Sequence, residues 1–197
     1  PYGEVLREVR TAPRIAIPVS PSNAILPLGG SKDPPLRTLS LEVTLLHNAN
    51  DSSFGQVVLH LPDGWRAKPA SQAFSFARAG ERVSYRFAVT PGPMAQQTYE
   101  IEAAAIDGLG EYREGYELID HRDLELRYLY REASTVVRGV NVTTVAGLKV
   151  GYVMGIGDQV PAALQQLGAQ VTLLGERDLS SGDLSAYDAI LTGTRAY

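Results

Sequence analysis

The stretch Leu39-Ser40-Leu41-Glu42-Val43-Thr44-Leu45 alternates apolar and polar residues without a break. A period of two places the leucines and the valine on one face of a strand and the polar residues on the other. The same spacing recurs in Val57, Leu59 and Leu61, in Val83, Tyr85, Phe87 and Val89, and in Tyr99, Ile101, Ala103 and Ala105. His60, Ser84, Arg86, Glu100 and Glu102 fill alternate positions, the pattern of antiparallel strands buried on one face only. Turn residues divide the runs: Pro62-Asp63-Gly64, Ala79-Gly80-Glu81, Pro91-Gly92-Pro93 and Asp107-Gly108-Leu109-Gly110. Weaker strands are expected at 14–19, 73–76, 112–119 and 124–130. Roughly seven or eight short strands then make an antiparallel, immunoglobulin-like β-sandwich over residues 12–131, after an N-terminal linker at 1–11. Residues 21–35, rich in Pro, Gly and Ser, show no period and read as a loop.

Past residue 131 the pattern changes. Residues 132–146 read as a connector, with a Val- and Thr-rich strand or extended segment from 134 to 145. Residues 148–154 are a short apolar run of the buried-strand kind, followed by Gly155-Ile156-Gly157 and by Asp158, a helix N-cap residue. Val160, Ala163, Leu164 and Leu167 share one face of a helix over 159–167, Pro161 sits in its first turn, and Gly168 stops it. Strands at 169–174 and 188–192, with a short helix or turn at 179–186, complete a β-α-β-α-β order. This predicts a partial α/β parallel three-layer unit over 147–197 with strand order 2-1-3. Three strands and two short helices bury too little to cover both faces of a parallel sheet, so residues past Tyr197 are expected to complete it. The loops 155–158 and 193–197 should touch at the point where the strand order reverses.

Eighteen Lys and Arg against 22 Asp and Glu, in 197 residues, give a net charge of −4. Neither sign forms a block, which disfavours nucleic acid as a partner. No apolar run reaches the ~18–20 residues of a transmembrane helix. The absence of cysteine excludes thiol nucleophiles, Cys-ligated metal and disulfides. His47, His60 and His121 have no helical metal-ligand spacing, so no metal site is assigned.

No catalytic residue is assigned either. The loop 155–160 joins a strand to a helix start, where phosphate can bind, but Val160 replaces the third glycine of the dinucleotide fingerprint and the Asp158 carboxylate would repel an anion. Asp158 is therefore read as a cap. Asp158 and Arg195 remain the polar candidates for a ligand at the switch point, the competing reading being a cap and a loop-stabilising arginine. Asp178, Asp183 and Asp188 have the spacing of caps and strand edges. Ser180 and Ser181 lack a nucleophile elbow. Each His reads as a surface or interdomain hydrogen-bonder. Trp65 is a candidate sugar-stacking platform, weighed against a core plug closing the end of the sandwich. Tyr112, Tyr116, Tyr128 and Tyr130 are the remaining aromatics for a shared surface.

The sequence LKVGYVMGIGDQVPAALQQLG over residues 148–168, with 171–174, 179–184, 187–190 and 193–197, resembles the C-terminal region of large bacterial PIG-L (LmbE-like) deacetylases, a region similar to class I glutamine-amidotransferase-like domains. Residues 61–65, 74–76 and 89–91 resemble the NPCBM-associated β-sandwich before it, and 119–133 the connector. The resemblance implies a zinc-dependent hydrolase that deacetylates an N-acetylated sugar, located in the periplasm or outside the cell. The family's His-Pro-Asp-Asp motif does not occur in this chain, where His60-Leu61-Pro62-Asp63 is only an echo of it, and the amidotransferase-like half has no cysteine. The expectation is a noncatalytic accessory fragment for substrate positioning or domain scaffolding. Its partner is the remainder of the parent polypeptide, and zinc belongs to a catalytic domain outside this chain. The alternative is a carbohydrate-binding or adhesion module that binds glycan through Trp65 and the tyrosines, independently of any enzyme.

Overall fold

A computed structural model of the chain describes residues 11–28, 38–119, 121–122, 126–145, 147–157 and 159–196. Strands are numbered along the chain. One sheet holds β1 (Ile15–Ala16), β2 (Val19–Ser20), β4 (Leu39–His47), β6 (Arg66–Lys68) and β8 (Arg82–Thr90), in the order β1-β4-β8-β6 with β2 also on β4. The other holds β3 (Asn23–Pro27), β5 (Ser53–His60), β7 (Ser71–Phe76), β9 (Thr98–Asp107), β10 (Glu111–Tyr112) and β13 (Ser134–Val140), in the order β3-β13-β9-β5-β7 with β10 on β9. Every pairing in the two sheets is antiparallel except β3 with β13. The result is the expected β-sandwich, antiparallel but for one pair.

Alternation in β4 is realised residue by residue: Leu39, Leu41, Val43 and Leu45 are buried while Ser40 is exposed and Glu42 and Thr44 are half-buried. Val43, Leu45 and Phe87 of one sheet meet Val57, Phe74, Phe76, Ala103 and Ala105 of the other in one core cluster. Leu39, Leu41, Val89, Ile101 and Val137 form a second around Trp65. Each fully buried Leu, Val or Phe side chain contributes roughly 1.5–3 kcal/mol. Gly64 and Gly80 take φ of +78° and +83°, which a side chain would strain, so two of the expected turns depend on glycine.

Two segments differ from expectation. Within the supposed loop 21–35, Asn23–Pro27 is an edge strand with Ala24 and Leu26 buried; Ser and Pro neighbours hide a run too short to show a period. The sandwich also continues past residue 131. Ser134–Val140, read as part of a connector, lies between β3 and β9 with Thr135 and Val137 fully buried. Between them β11 (Glu114–Ile119) and β12 (Arg127–Glu132) form a separate hairpin. The expected linker lies almost wholly outside the described residues.

The last third holds β14 (Lys149–Val153), α1 (Val160–Gln166), β15 (Gln170–Leu174), α2 (Glu176–Ser181), a 3-10 turn at Leu184–Ala186 and β16 (Ala189–Thr192). All pairs are parallel and the order is β15-β14-β16, the expected 2-1-3. Three layers are not formed. Val150, Tyr152 and Leu174 are buried, neither helix has a buried residue, and Leu173, Ile190 and Leu191 are exposed by 58%, 42% and 39%. Two helices of seven and six residues, neither with a buried residue, are too short to cover a parallel sheet. No helix among the described residues is long and apolar enough to cross a membrane.

Candidate functional site

Where β14 and β16 end, their loops meet as expected: Ile156 N–H donates to Thr194 O at 3.1 Å and Gly193 N–H to Val153 O at 2.8 Å. A Cβ on Gly155 would lie 2.5 Å from the Thr194 backbone, so this contact requires glycine. Asp158 lies outside the described residues. Because α1 begins at Val160, its N-cap position belongs to Gln159, whose side chain makes no cap hydrogen bond. Arg195 is exposed at φ +56°, a left-handed conformation that a non-glycine residue rarely adopts.

Two of the three candidate carboxylates of this half, Asp178 and Asp183, act as caps, and Asp188 ties a strand edge. Asp178 accepts from Gly175 N–H at 2.8 Å, Asp183 from Ser185 N–H at 3.0 Å and its hydroxyl at 2.6 Å, and Asp188 from Lys149 N–H at 2.8 Å. The Ser185 hydroxyl, then its N–H, holds the Asp183 carboxyl below the usual range.

Trp65 belongs to the core. It is 6% exposed, with its ring 5.3 Å from that of Tyr99 and tilted by 39°, so its faces are covered and it is the plug rather than a sugar platform. His47, expected near the surface, is fully buried, stacked on Phe76 at 5.2 Å, with Nδ1 3.1 Å from Arg78 O. Closure of the sandwich by the 77–81 turn covers it. His60 is exposed and its Nε2 lies 3.0 Å from Glu111. Asp63 stands apart in the turn that follows, and among the described residues no three His, Asp or Glu side chains converge. These residues do not fit a zinc ion.

The tyrosines divide. Tyr112 packs on the core and donates to Asp107 at 3.3 Å. Tyr116, Tyr128 and Tyr130 gather on one face of the β11–β12 hairpin with ring centroids 4.9–6.3 Å apart. Tyr116 donates to Asn48 Oδ1 at 2.9 Å, and burial pushes its hydroxyl above the usual phenol range. Tyr130 is 48% exposed.

Asp107 anchors the end of β9 beside Arg14 and Ser53. Its carboxylate, 3% exposed, accepts from Ser53 Oγ at 2.7 Å, from Leu109 and Gly110 N–H at 2.8 and 3.1 Å, and from Arg14 Nε at 3.2 Å. Burial alone would raise its pKa; these donors together hold it below the usual carboxylate range.

Two cavities among the described residues lie in the cleft between the sandwich and α1, and the sequence reading did not anticipate them. Gln166 accepts from Ile25 N–H at 2.8 Å, so a side-chain amide meets the edge strand β3 where a neighbouring strand's carbonyl would stand. On one side of this bond is a cavity of about 490 Å³ reaching Ser40 and Gln165; on the other, one of about 460 Å³ reaching Glu117 and Arg131 of the hairpin. Gln159, Ala162 and Gln166 border both. Their spacing of three, four and seven residues puts them on one helical face, a signal overlooked beside the apolar face of the same helix.

No family model matches the sequence, and no curated protein matches it significantly. Among solved structures, the chain is similar to the cupredoxin domain of amoB from Nitrosocaldus yellowstonii, with 13% identity, a TM-score of 0.37, and coverage of 68% of this chain and 94% of that one. It is also similar to PapD-like domain 7 of human CEP192, with 11% identity, a TM-score of 0.33, and coverage of 72% and 99%. A third is the E. coli chaperone DraB, with 11% identity, a TM-score of 0.33, and coverage of 66% and 58%.

Proposed function

We propose that this chain is a noncatalytic accessory module of a PIG-L/LmbE-type N-acetyl-sugar deacetylase, positioning substrate or holding domains together outside the cytoplasm. The observation that carries this reading is the docking of two differently built units: a β-sandwich whose edge strand is met by Gln166 of a parallel α/β element. That element has the strand, glycine loop, helix and strand order that the resemblance over residues 148–174 implies. In this reading it is the opening of a larger amidotransferase-like three-layer domain, and the exposed Leu173, Ile190 and Leu191 are where the rest of that domain packs. Zinc, when bound, supplies a Lewis acid and an activated water in the catalytic domain, outside this chain.

The test is an assay of this chain for acetate release from N-acetylglucosamine with added zinc, beside detection of the native protein with an antibody raised against it. No acetate release, and a native polypeptide far larger than 21.3 kDa, are expected. Deacetylation with stoichiometric metal, or a native mass equal to that of the chain, overturns the reading.

A second reading, a carbohydrate-binding or adhesion module acting independently, loses Trp65 to the core. It is favoured by the gathering of Tyr116, Tyr128 and Tyr130 on one hairpin face.

A further inference from the structure

The outer face of the sheet built on β4 and β8 carries charge of the opposite sign to the chain. Strand alternation turns Val83, Tyr85, Phe87 and Val89 of β8 into the two cores, so Arg82, Ser84, Arg86, Ala88 and Thr90 point away from them and are exposed. On β6, Ala67 packs on the cores, and Arg66 and Lys68 take the outer, exposed positions beside Thr90 and Ala88. On β4 the same face holds Ser40, Glu42, Thr44 and Leu46. Four cations therefore meet one carboxylate, a net +3 on one face of a chain whose net charge is −4. Counting Asp63, in the turn before β6, leaves +2. Residues 29–37, which lie outside the described residues and lead into β4, carry Lys32, Asp33 and Arg37, a sum of +1 that does not offset it. The sequence shows no basic block because β7, in the other sheet, separates the two pairs of cations in the chain, and register brings them together.

These cations form a row. With Lys68 beside Ala88 and Arg66 beside Thr90, their order along the strand axis is Arg82, Arg86, Lys68, Arg66, spread over about 27 Å at ~3.4 Å per residue. Arg86 shares its charge with Glu42 at 3.4 Å. Small side chains, Ser40, Ser84, Ala88 and Thr90, lie between and beside the cations, and the Ser84 and Thr44 hydroxyls are 2.7 Å apart. A linear chain of carboxylated sugars matches that set: its carboxylates pair with the cations and its hydroxyls with the hydroxyls between them. A nucleic acid strand would need rings on which to stack its bases, and Tyr85 and Phe87 of β8 are turned inward. A polypeptide adding through its main chain needs a sheet edge, whereas this row stands on the face of paired strands.

We propose that this face binds a linear acidic polysaccharide, a polyuronate, laid along β8 with its carboxylates on Arg82, Arg86, Lys68 and Arg66. The proposal rests on the carbohydrate reading and gives it a site other than the tyrosine face.

The test titrates the isotope-labelled chain with hexagalacturonate and an alginate hexamer, and with maltohexaose and an oligothymidylate of similar length as comparators. A uronate is expected to shift the amide resonances of Lys68, Ser84 and Ala88, with an affinity that falls several-fold between about 0.05 and about 0.5 M salt. Arg66→Gln and Lys68→Gln, at exposed positions, are expected to leave the unfolding midpoint unchanged and to weaken binding about two- to fivefold each, and about tenfold together. Arg177→Gln, which removes an exposed cation on α2, is the control and is expected to leave binding unchanged. Equal weakening by Arg177→Gln overturns the face. Uronate binding that shifts Tyr128 and Tyr130 instead, or binding of maltohexaose alone, overturns the face and keeps the carbohydrate reading. Maltohexaose bound on this face as tightly as the uronates overturns the acidic ligand class, and tighter binding of the oligothymidylate overturns the polysaccharide. No binding of either uronate at millimolar concentration overturns the proposal, and if maltohexaose also fails to bind, the carbohydrate reading falls with it.

Discussion

The sandwich and the α/β element bury their apolar residues to very different extents. In the sandwich, two sheets face each other, and Leu41, Val43, Leu45, Val57, Phe87, Val89 and Val137 are all at 0% exposure. In the α/β element one small parallel sheet carries two helices of seven and six residues, and apolar side chains on all three strands or their ends remain in water. Both are built from good local signals: alternation and turns in one, a helical stripe and a glycine stop in the other. The difference is that a sandwich supplies its own second layer, whereas a parallel sheet needs helices on both faces. Stability should therefore be distributed unevenly, with the α/β element opening at lower free energy than the sandwich.

The largest expected effect tests that the sandwich carries the stability. Trp65→Ala should cost about 3–5 kcal/mol in denaturant unfolding, because it empties the centre of one core cluster. A loss below about 1 kcal/mol would mean that Trp65 is not the plug. Next, Asp107→Asn should destabilise by about 1–3 kcal/mol, since several donors inside the sandwich lose a charged acceptor. The same carboxylate sets an acid limit. Its folded pKa lies below its unfolded value of about 3.9, so the folded state binds fewer protons. Its contribution is full above that value and is lost as pH falls through the folded pKa. Unfolding midpoints measured from pH 5 to 2 should fall for the native chain and be flatter for Asp107→Asn.

Smaller effects probe the junction and the α/β element. Gln166→Ala removes the acceptor of Ile25 N–H and should cost about 0.5–1.5 kcal/mol, with faster hydrogen exchange at Ile25 and little change at β4. Equal acceleration at both strands would show that the two units unfold as one. Leu173→Ser, at a position 58% exposed, should change stability by about 0.5 kcal/mol or less. A loss several times larger would mean that this sheet face is covered in the protein.

Much was legible from local chemistry, because a strand's period of two, a glycine turn and a helix stop are written within a few consecutive residues. Leu39 to Leu45, the turns at Gly64 and Gly80, and the alternation of β14, α1 and β15 follow from such signals. Position in space was another matter. Asn23–Pro27 is a strand only because β13, more than a hundred residues later, runs parallel beside it, and His47 is buried only because the 77–81 turn folds over it. For Trp65 the plug was the stronger of two readings, and Tyr99 and the second core cluster enclose it. The cleft had no sequence signal as a cleft: Gln159, Ala162 and Gln166 on one side and Ser20 and Pro21 on the other are ordinary surface residues until the two units dock. Local residues set which elements form, since backbone preference and side-chain period act over a few positions. Burial and cavities arise from contacts between segments far apart in the chain, and packing alone decides which of those contacts are made.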